Sequence, residues 1–362
     1  MGRVRLVAVG SLLAAILAGC GSAVPKGWQR AWLPAGLSEV STVSCSSPTR
    51  CVATGEREES SGEVTGYILS GTGDMSRWSA VKNAVGVRFD ALDCTGSSQC
   101  IAVGEAGQGG ASAAPAPVAY LSRDRGSTWR EVPVNIGGAG ELVAVTCGYR
   151  LSCVAVGNTL EQTAFSTLSD DGGATWNGPI ALPGLAAVAG IACSTARRCI
   201  AVGGTMTGGA PTLGAMVGSF DGGQHWSLLA TPPGLGAFTS VSCDARSICA
   251  AGGAEDIHGT RPSLMQATDG SRSWKRVALP EAMALPLTTV GCATKVGCVA
   301  GGPSGHLLVR VHGADWADRS IRRIDVSVLG LSCPTDHLCI TVGIVVKGSG
   351  PSGVILVNRQ GT

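Results

Sequence analysis

The sequence predicts an all-β protein, a seven-bladed β-propeller with four strands in each blade and a ring closed by its own N-terminal strand. Three observations predict it. A cysteine pair at one fixed spacing occurs seven times, a turn followed by tryptophan alternates with it, and the two chain ends complement each other. The composition agrees. Glycine accounts for 54 of 362 residues and only 14% of side chains are charged. Short runs rich in Val, Ile and Thr are broken by Gly, Ser, Pro and Asp, the pattern of brief strands and tight turns. Glycine this frequent also marks disordered chains, but here it alternates with Val, Leu and Ile, which leaves apolar surface for a core.

With Cys20 set aside, fourteen cysteines remain, all in C-x5-C pairs: Cys45 and Cys51, Cys94 and Cys100, Cys147 and Cys153, Cys193 and Cys199, Cys243 and Cys249, Cys292 and Cys298, Cys333 and Cys339. The flanks recur too, as in Val-Thr-Cys…Cys-Val-Ala-Val-Gly (145–157) and Ile-Ala-Cys…Cys-Ile-Ala-Val-Gly (191–203). The repeat of about 41 to 53 residues lies in the range of propellers and solenoids. Each pair reads as a hairpin, with an apolar strand into the first cysteine, a polar turn, and a strand out. Opposed Cβ atoms on neighbouring strands come within about 4.5–5.5 Å, close to what a disulfide needs. Seven local disulfides are therefore expected, each contributing about 2 kcal/mol and pinning register in glycine-rich strands. Zinc is a poor alternative, because its sites prefer C-x2–4-C with further ligands nearby and the chain has five histidines.

Between the pairs lies the second motif. Ser122, Asp124, Gly126 and Trp129 fit S-x-D-x-G-x-T-W, as do Ser169, Asp171, Gly173 and Trp176; Ser219, Asp221, Gly223 and Trp226 depart only at the Thr, replaced by His225. A worn copy keeps Asp269 and Trp274, and around Trp78 and Trp316 only the Trp and scattered glycines remain. This motif resembles the BNR or Asp-box repeat of sialidases and many other propellers. Asp and Gly build a hairpin turn, Ser and Asp side chains satisfy its amides, and the Trp packs beneath it. Seven of the eight Trp occupy this slot and read as blade core, not as a sugar platform.

The ends then close the ring. Trp28 stands 17 residues before Cys45, in the Trp slot, with no turn motif ahead of it. Gly353–Val357 reads as a third strand running into a turn with no Trp to follow. One blade built from both ends leaves no open sheet edge, whereas an open solenoid would need caps at both ends.

The first residues carry a separate message. Arg3 and Arg5 precede an almost wholly apolar Leu6–Leu17, and Leu17-Ala18-Gly19-Cys20 resembles the bacterial lipobox. The apolar run is shorter than the ~20 residues a spanning helix needs. The expected organisation is a lipoprotein signal peptide over 1–19, a lipid-anchored linker over 20–26 with acyl chains on Cys20, and the propeller over 27–362. The location that follows is the outer face of the cytoplasmic membrane or the cell envelope, with the membrane as one partner and the chain a monomer.

The formal charge is +2, and loss of Arg3 and Arg5 leaves basic and acidic side chains equal in number. No basic stripe exists, so nucleic acid is not an expected partner. Two loops concentrate charge: Glu56, Glu58, Glu59 and Glu63 around Arg57, and Glu255, Asp256, His258 and Arg261. Both read as solvated loops rather than as metal or catalytic sites, and no cofactor is expected. A sialidase would need an arginine triad and a Tyr–Glu pair. Tyr67 and Tyr120 fall in third strands and Tyr149 in a cysteine turn, so no sialidase residue carries over. The mature chain is similar in general form to lipid-anchored, seven-bladed propellers of the photosystem II assembly-factor type, although the cysteine hairpins set it apart. That resemblance implies a non-catalytic scaffold binding an envelope protein or glycan. The alternative is a glycoside hydrolase or lyase using upper-face loop carboxylates.

Overall fold

The computed structural model describes residues 27–359, except 95–97, 108–113, 149–150, 208–209, 233, 256–260, 270–272, 281–284, 294–296, 311–314, 322–323 and 348–349. The expected signal segment and linker with Cys20, Tyr149, and Asp256 with His258 lie outside the described residues. Seven antiparallel four-stranded sheets follow one another: 39–85, 87–132, 140–181, 187–228, 238–276, 289–318, and 327–358 completed by 29–30. We number these blades 1 to 7. In blade 7 the N-terminal strand Gln29–Arg30 pairs outside Gly350–Asn358, with Gln29 opposite Val357. The expected closure by the chain's own N-terminus is what the structure contains.

In each blade the first strand, nearest the central axis, runs down to a cysteine turn. The second rises, the third descends to the Asp-box turn, and the fourth rises again. Cysteine turns and Asp-boxes therefore share a lower face, and the longer loops form the upper face. All seven disulfides close the first hairpin, with Cα–Cα distances of 4.0–4.1 Å.

The core is not one body but seven interfaces between adjacent blades, each filled by Val, Ile, Leu and Ala from facing sheets. Each interface holds one motif tryptophan: Trp78 between blades 7 and 1, Trp129 between 1 and 2, Trp176 between 2 and 3, and so on to Trp28 between 6 and 7. The tryptophans differ in depth. Trp78 is fully buried and Trp274 nearly so, whereas Trp129, Trp176 and Trp226 are half-buried lids over the lower end of their interfaces.

A recurring glycine follows from the same geometry. First strands of six blades carry a one-residue bulge near the upper end, at Ser41, Asp90, Val143, Ala189, Thr239 and Leu329. Four residues after the second cysteine, Gly55, Gly104, Gly157, Gly203, Gly253 and Gly343 face that bulge. A Cβ at any of these would stand 1.9–2.5 Å from a first-strand carbonyl oxygen, so only glycine fits.

The three full Asp-boxes are superimposable in their hydrogen bonds. Ser169 Oγ accepts the Gly173 N–H at 2.7 Å and donates to Asp171 Oδ1 at 2.9 Å. Asp171 Oδ1 then accepts the amides of Ala174 and Thr175, and Oδ2 takes the Thr175 hydroxyl at 2.7 Å. Ser122 with Asp124, and Ser219 with Asp221, repeat the pattern, with the His225 ring replacing the threonine at 2.6 Å. Asp269 keeps its half through Ser273. The turn of blade 1 retains more than its sequence suggests: Asp74 accepts both the amide and the hydroxyl of Ser76. The turns of blades 1 to 4 also donate an amide to the cysteine turn of their own blade, as Gly172 does to the Leu151 carbonyl and Gly222 to that of Arg197.

Candidate functional site

The seven first strands surround a central channel of about 540 Å³, lined mainly by Ser, Thr, Ala, Val and Gly. Within it, the residue before the first cysteine reaches across to the next blade. Ser44 Oγ accepts the Cys94 N–H at 3.0 Å, Asp93 Oδ2 that of Cys147 at 2.6 Å, and Ser242 Oγ that of Cys292 at 2.9 Å. These bonds satisfy amides on the inner sheet edge, which has no neighbouring strand, and tie blade to blade.

The upper mouth of the channel is different, because charge collects there on one side. Blade 2 places Arg88 and Asp90 on its first strand and Glu105 at the end of its second. Blade 1 adds Glu39 and Glu56, and blade 3 adds Glu141. Arg88 bridges two of them, with Nε 3.0 Å from Glu56 Oε2 and a terminal nitrogen 3.8 Å from Glu105. Glu141 accepts an amide hydrogen from Asn158 at 3.1 Å. Five carboxyl groups thus share one guanidinium.

Asp90 is the centre of this group. It is the bulge residue of its strand, and bulges commonly re-aim a side chain beside a functional site. Its Oδ2 is buried with no hydrogen-bond partner among the described residues. Burial first, then the nearby Glu105 and Glu141, push its carboxyl up to about 8, against the opposing pull of Arg88. It therefore holds a proton near neutral pH. Glu39 is raised by burial and by Glu56. Asp93, deeper in the channel, is pushed up to about 6 by burial, opposed by the Cys147 and Cys94 amides. Both aspartates keep a sliver of surface on the lumen, yet protein surrounds them on every other side, and that enclosure costs the charged form its hydration.

The arrangement can bind a cationic group, or donate a proton from Asp90. Among the described residues, no three His, Cys, Asp or Glu side chains converge to hold a metal ion.

The charged loops divide. Glu56 turns inward to the mouth, while Glu58, Glu59 and Glu63 remain exposed, with Arg57 4.0 Å from Glu59. Glu255 pairs with Arg276 at 2.6 Å and Arg261 at 3.5 Å. Tyr67 packs in the core between blades 7 and 1, and Tyr120 bonds Glu131 at 2.9 Å with Phe89 against its ring; both are packing residues. The Asp-boxes lie on the face away from the mouth and are fully engaged in their own turns. Sequence reasoning missed Asp90, Glu105 and Glu141. The available signal was Arg88-Phe-Asp90-Ala-Leu-Asp93, three charges inside a strand whose counterparts in blades 1 and 3, Glu39–Ser44 and Glu141–Thr146, carry one each.

No protein-family model matches the sequence, and no curated protein is similar to it in sequence. Among solved structures, YCF48 bound to a D1 peptide is similar over 93% of this chain and 98% of its own, at 11% identity and a TM-score of 0.63. YCF48 from Cyanidioschyzon merolae follows, over 92% and 98%, at 13% identity and a TM-score of 0.59. The WD40 propeller domain of Doa1 covers 92% and 97%, at 10% identity and a TM-score of 0.56. At these identities the likeness is one of fold, and it agrees with the expected propeller architecture. The chain is a seven-bladed β-propeller of the kind that YCF48 and WD40 proteins share.

Proposed function

We propose that this chain is a non-catalytic scaffold of the cell envelope, held by acyl chains on Cys20, that binds a basic segment of a partner protein at the upper mouth of its channel. The observation that carries this reading is the acidic mouth: Glu39, Glu56, Asp90, Glu105 and Glu141 against Arg88, with an unpartnered oxygen on Asp90. A Lys or Arg side chain entering there adds a second cation to Arg88 and favours the ionised form of Asp90. Two further points support it. Small side chains line the channel, leaving room for an extended segment, and YCF48, which shares the fold, is captured with a D1 peptide.

The test is affinity capture of the native lipoprotein, mildly solubilised from its envelope, beside a Glu105→Gln/Glu141→Gln form. A stoichiometric partner that the wild type retains, and that the variant and 0.5 M salt both release, is the expected result. A partner held equally by both forms removes the mouth from the proposal. The anchor has its own check: Cys20→Ser is expected to appear in the soluble fraction, and a membrane-bound Cys20→Ser protein ends that reading.

One observation favours a second reading, a glycoside hydrolase or lyase. A carboxyl that stays protonated near neutral pH with further carboxyl groups beside it is the pairing that glycoside cleavage uses. Asp90 would donate the proton and Glu105 or Glu141 would act as base or nucleophile. A panel of glycan substrates assayed between pH 5 and 9, with no turnover above that of Asp90→Asn, dismisses it.

A further inference from the structure

We infer that the lower face of the propeller is a docking surface for the anionic bilayer to which the chain is tethered, so that the acidic mouth points away from the membrane. The orientation part rests on the lipid-anchor reading of Cys20; the surface part does not.

Chain direction is the first argument. Gly350–Asn358 descends to the lower face and Gln29–Arg30 runs antiparallel to it, so the N-terminal strand enters from below. Arg359, just past that turn, bonds Gln29 and the Asp74 carbonyl and stands 3.6 Å from the Asp74 carboxylate, which fixes the entry point beside the lower turns of blades 7 and 1. Eight residue steps separate Cys20 from Trp28, at most about 29 Å of extended chain. An eight-residue strand such as Gly140–Cys147 is itself about 26 Å long. To lay the upper face on the bilayer, the linker would have to span the blade height and have almost nothing left to enter the lipid. The lower face can rest on the bilayer with slack to spare.

The chemistry of that face is the second argument. Arg125, Arg197 and Arg246 are exposed, Arg198 is half-buried, and among the described residues none of the four has an acidic partner. Beside them stand two exposed apolar side chains, Phe220 and Leu151, each 47% exposed. Phe220 and Arg197–Arg198 border one depression, and Gly148 of the Leu151 turn lies against Ala196 of the arginine turn. Guanidinium groups next to protruding Phe and Leu suit a phosphate headgroup layer above acyl chains. The acids of this sector keep their charge but are tied to their own turns: Asp124, Asp171 and Asp221 are wrapped by turn amides, and Asp244 is buried. Exposed Asp124, Asp170 and Asp269 are the local opposing charges. By contrast the upper loop of blade 1, with Glu58, Glu59 and Glu63 exposed, repels an anionic surface.

The test uses the Cys20→Ser full chain, which lacks the lipid, and vesicles of phosphatidylcholine with or without 30% phosphatidylglycerol at low salt. Selective binding to the anionic vesicles is expected. The Arg197→Ala/Arg198→Ala form should bind about thirty-fold more weakly, at roughly tenfold per 1.4 kcal/mol and about 1 kcal/mol per surface arginine. Phe220→Ser should weaken it as well, while Glu58→Ala/Glu59→Ala should not. For the lipidated protein in the same vesicles, hydrogen exchange should slow in the turns 194–198 and 220–224 relative to detergent, and not in 59–63. Equal binding to both vesicle types, or slowing confined to 59–63, overturns the proposal. If Cys20 proves unacylated while the arginine effect persists, the anchor reading fails and the docking surface stands.

Discussion

The two faces of this propeller obey different rules. On the lower face one solution repeats, a disulfide closing the inner hairpin of every blade and, in blades 1 to 5, an Asp-box or its remnant closing the outer one. The Asp171 carboxylate alone takes two amides and two hydroxyls, although Asp244 Oδ2 and the indole nitrogens of Trp176 and Trp274 are buried there without a partner among the described residues. On the upper face the repeat lapses. Blades 4 and 6 have Gly204 and Pro303 where blades 1 and 2 have Glu56 and Glu105, and Asp90 Oδ2 is buried with no hydrogen-bond partner among the described residues. A buried carboxyl oxygen without a hydrogen bond is costly to stability on either face; what sets Asp90 apart from Asp244 is its company, Arg88 and four glutamates at the channel mouth, and perturbed charged groups gathered in a cleft mark where a protein meets a ligand.

The largest expected effect probes the interfaces beneath the lower turns. Trp78→Ala removes a fully buried indole whose N–H donates to the Met75 carbonyl at 3.1 Å, at the interface where the chain ends meet. We expect a loss of about 3–5 kcal/mol in denaturant unfolding. Trp176→Ala, at a half-buried indole, should cost clearly less. Equal losses would mean that every motif tryptophan is equivalent and that depth is irrelevant.

Asp90→Asn tests the upper face and carries the opposite sign. The folded-state carboxyl sits at about 8, well above its ordinary 3.8. Wild-type stability from this group is complete below about pH 4 and is lost as pH rises through 8, because the folded form must finally ionise an unpaired group. The substitution should therefore stabilise the protein, by on the order of 2 kcal/mol at pH 9, and by much less at pH 4. Melting profiles at the two pH values decide it. A destabilised variant at pH 9 would show that Asp90 is structural.

How much of this was legible beforehand follows the same division. The cysteine ruler, the Trp slot and the unmatched ends were enough to specify seven blades and their closure, because each is a local, repeated solution that must recur wherever the geometry recurs. Gly55, Gly104 and their equivalents were visible as a pattern, but their reason, a carbonyl 1.9–2.5 Å from any Cβ, needed the neighbouring strand. The mouth was hidden for the opposite reason. Glu56, Arg88, Asp90, Glu105 and Glu141 come from three blades over 85 residues of chain, and only the curvature of the ring brings them together. The loop charge that the sequence did advertise, at Glu58, Glu59 and Glu63, faces solvent.

The smallest expected effect returns to the lower face. Ser169→Ala removes the hydroxyl that takes the Gly173 amide and orients Asp171, at a position 1% exposed. The orphaned amide and the loosened carboxylate should cost about 1–2 kcal/mol. The pH response separates this from simple packing loss. The Thr175 hydroxyl and amide hold the Asp171 carboxyl at about 2, below its ordinary 3.8. Its stabilising contribution is present above pH 4 and disappears as pH falls toward 2. The gap between wild type and Ser169→Ala should accordingly be wide at pH 7 and narrow by pH 2.5, whereas a packing defect would cost the same at both. Because Asp90 and Asp171 respond to pH in opposite directions, their combined contribution should be greatest near pH 4, where the Asp171 carboxylate is ionised and Asp90 still holds its proton.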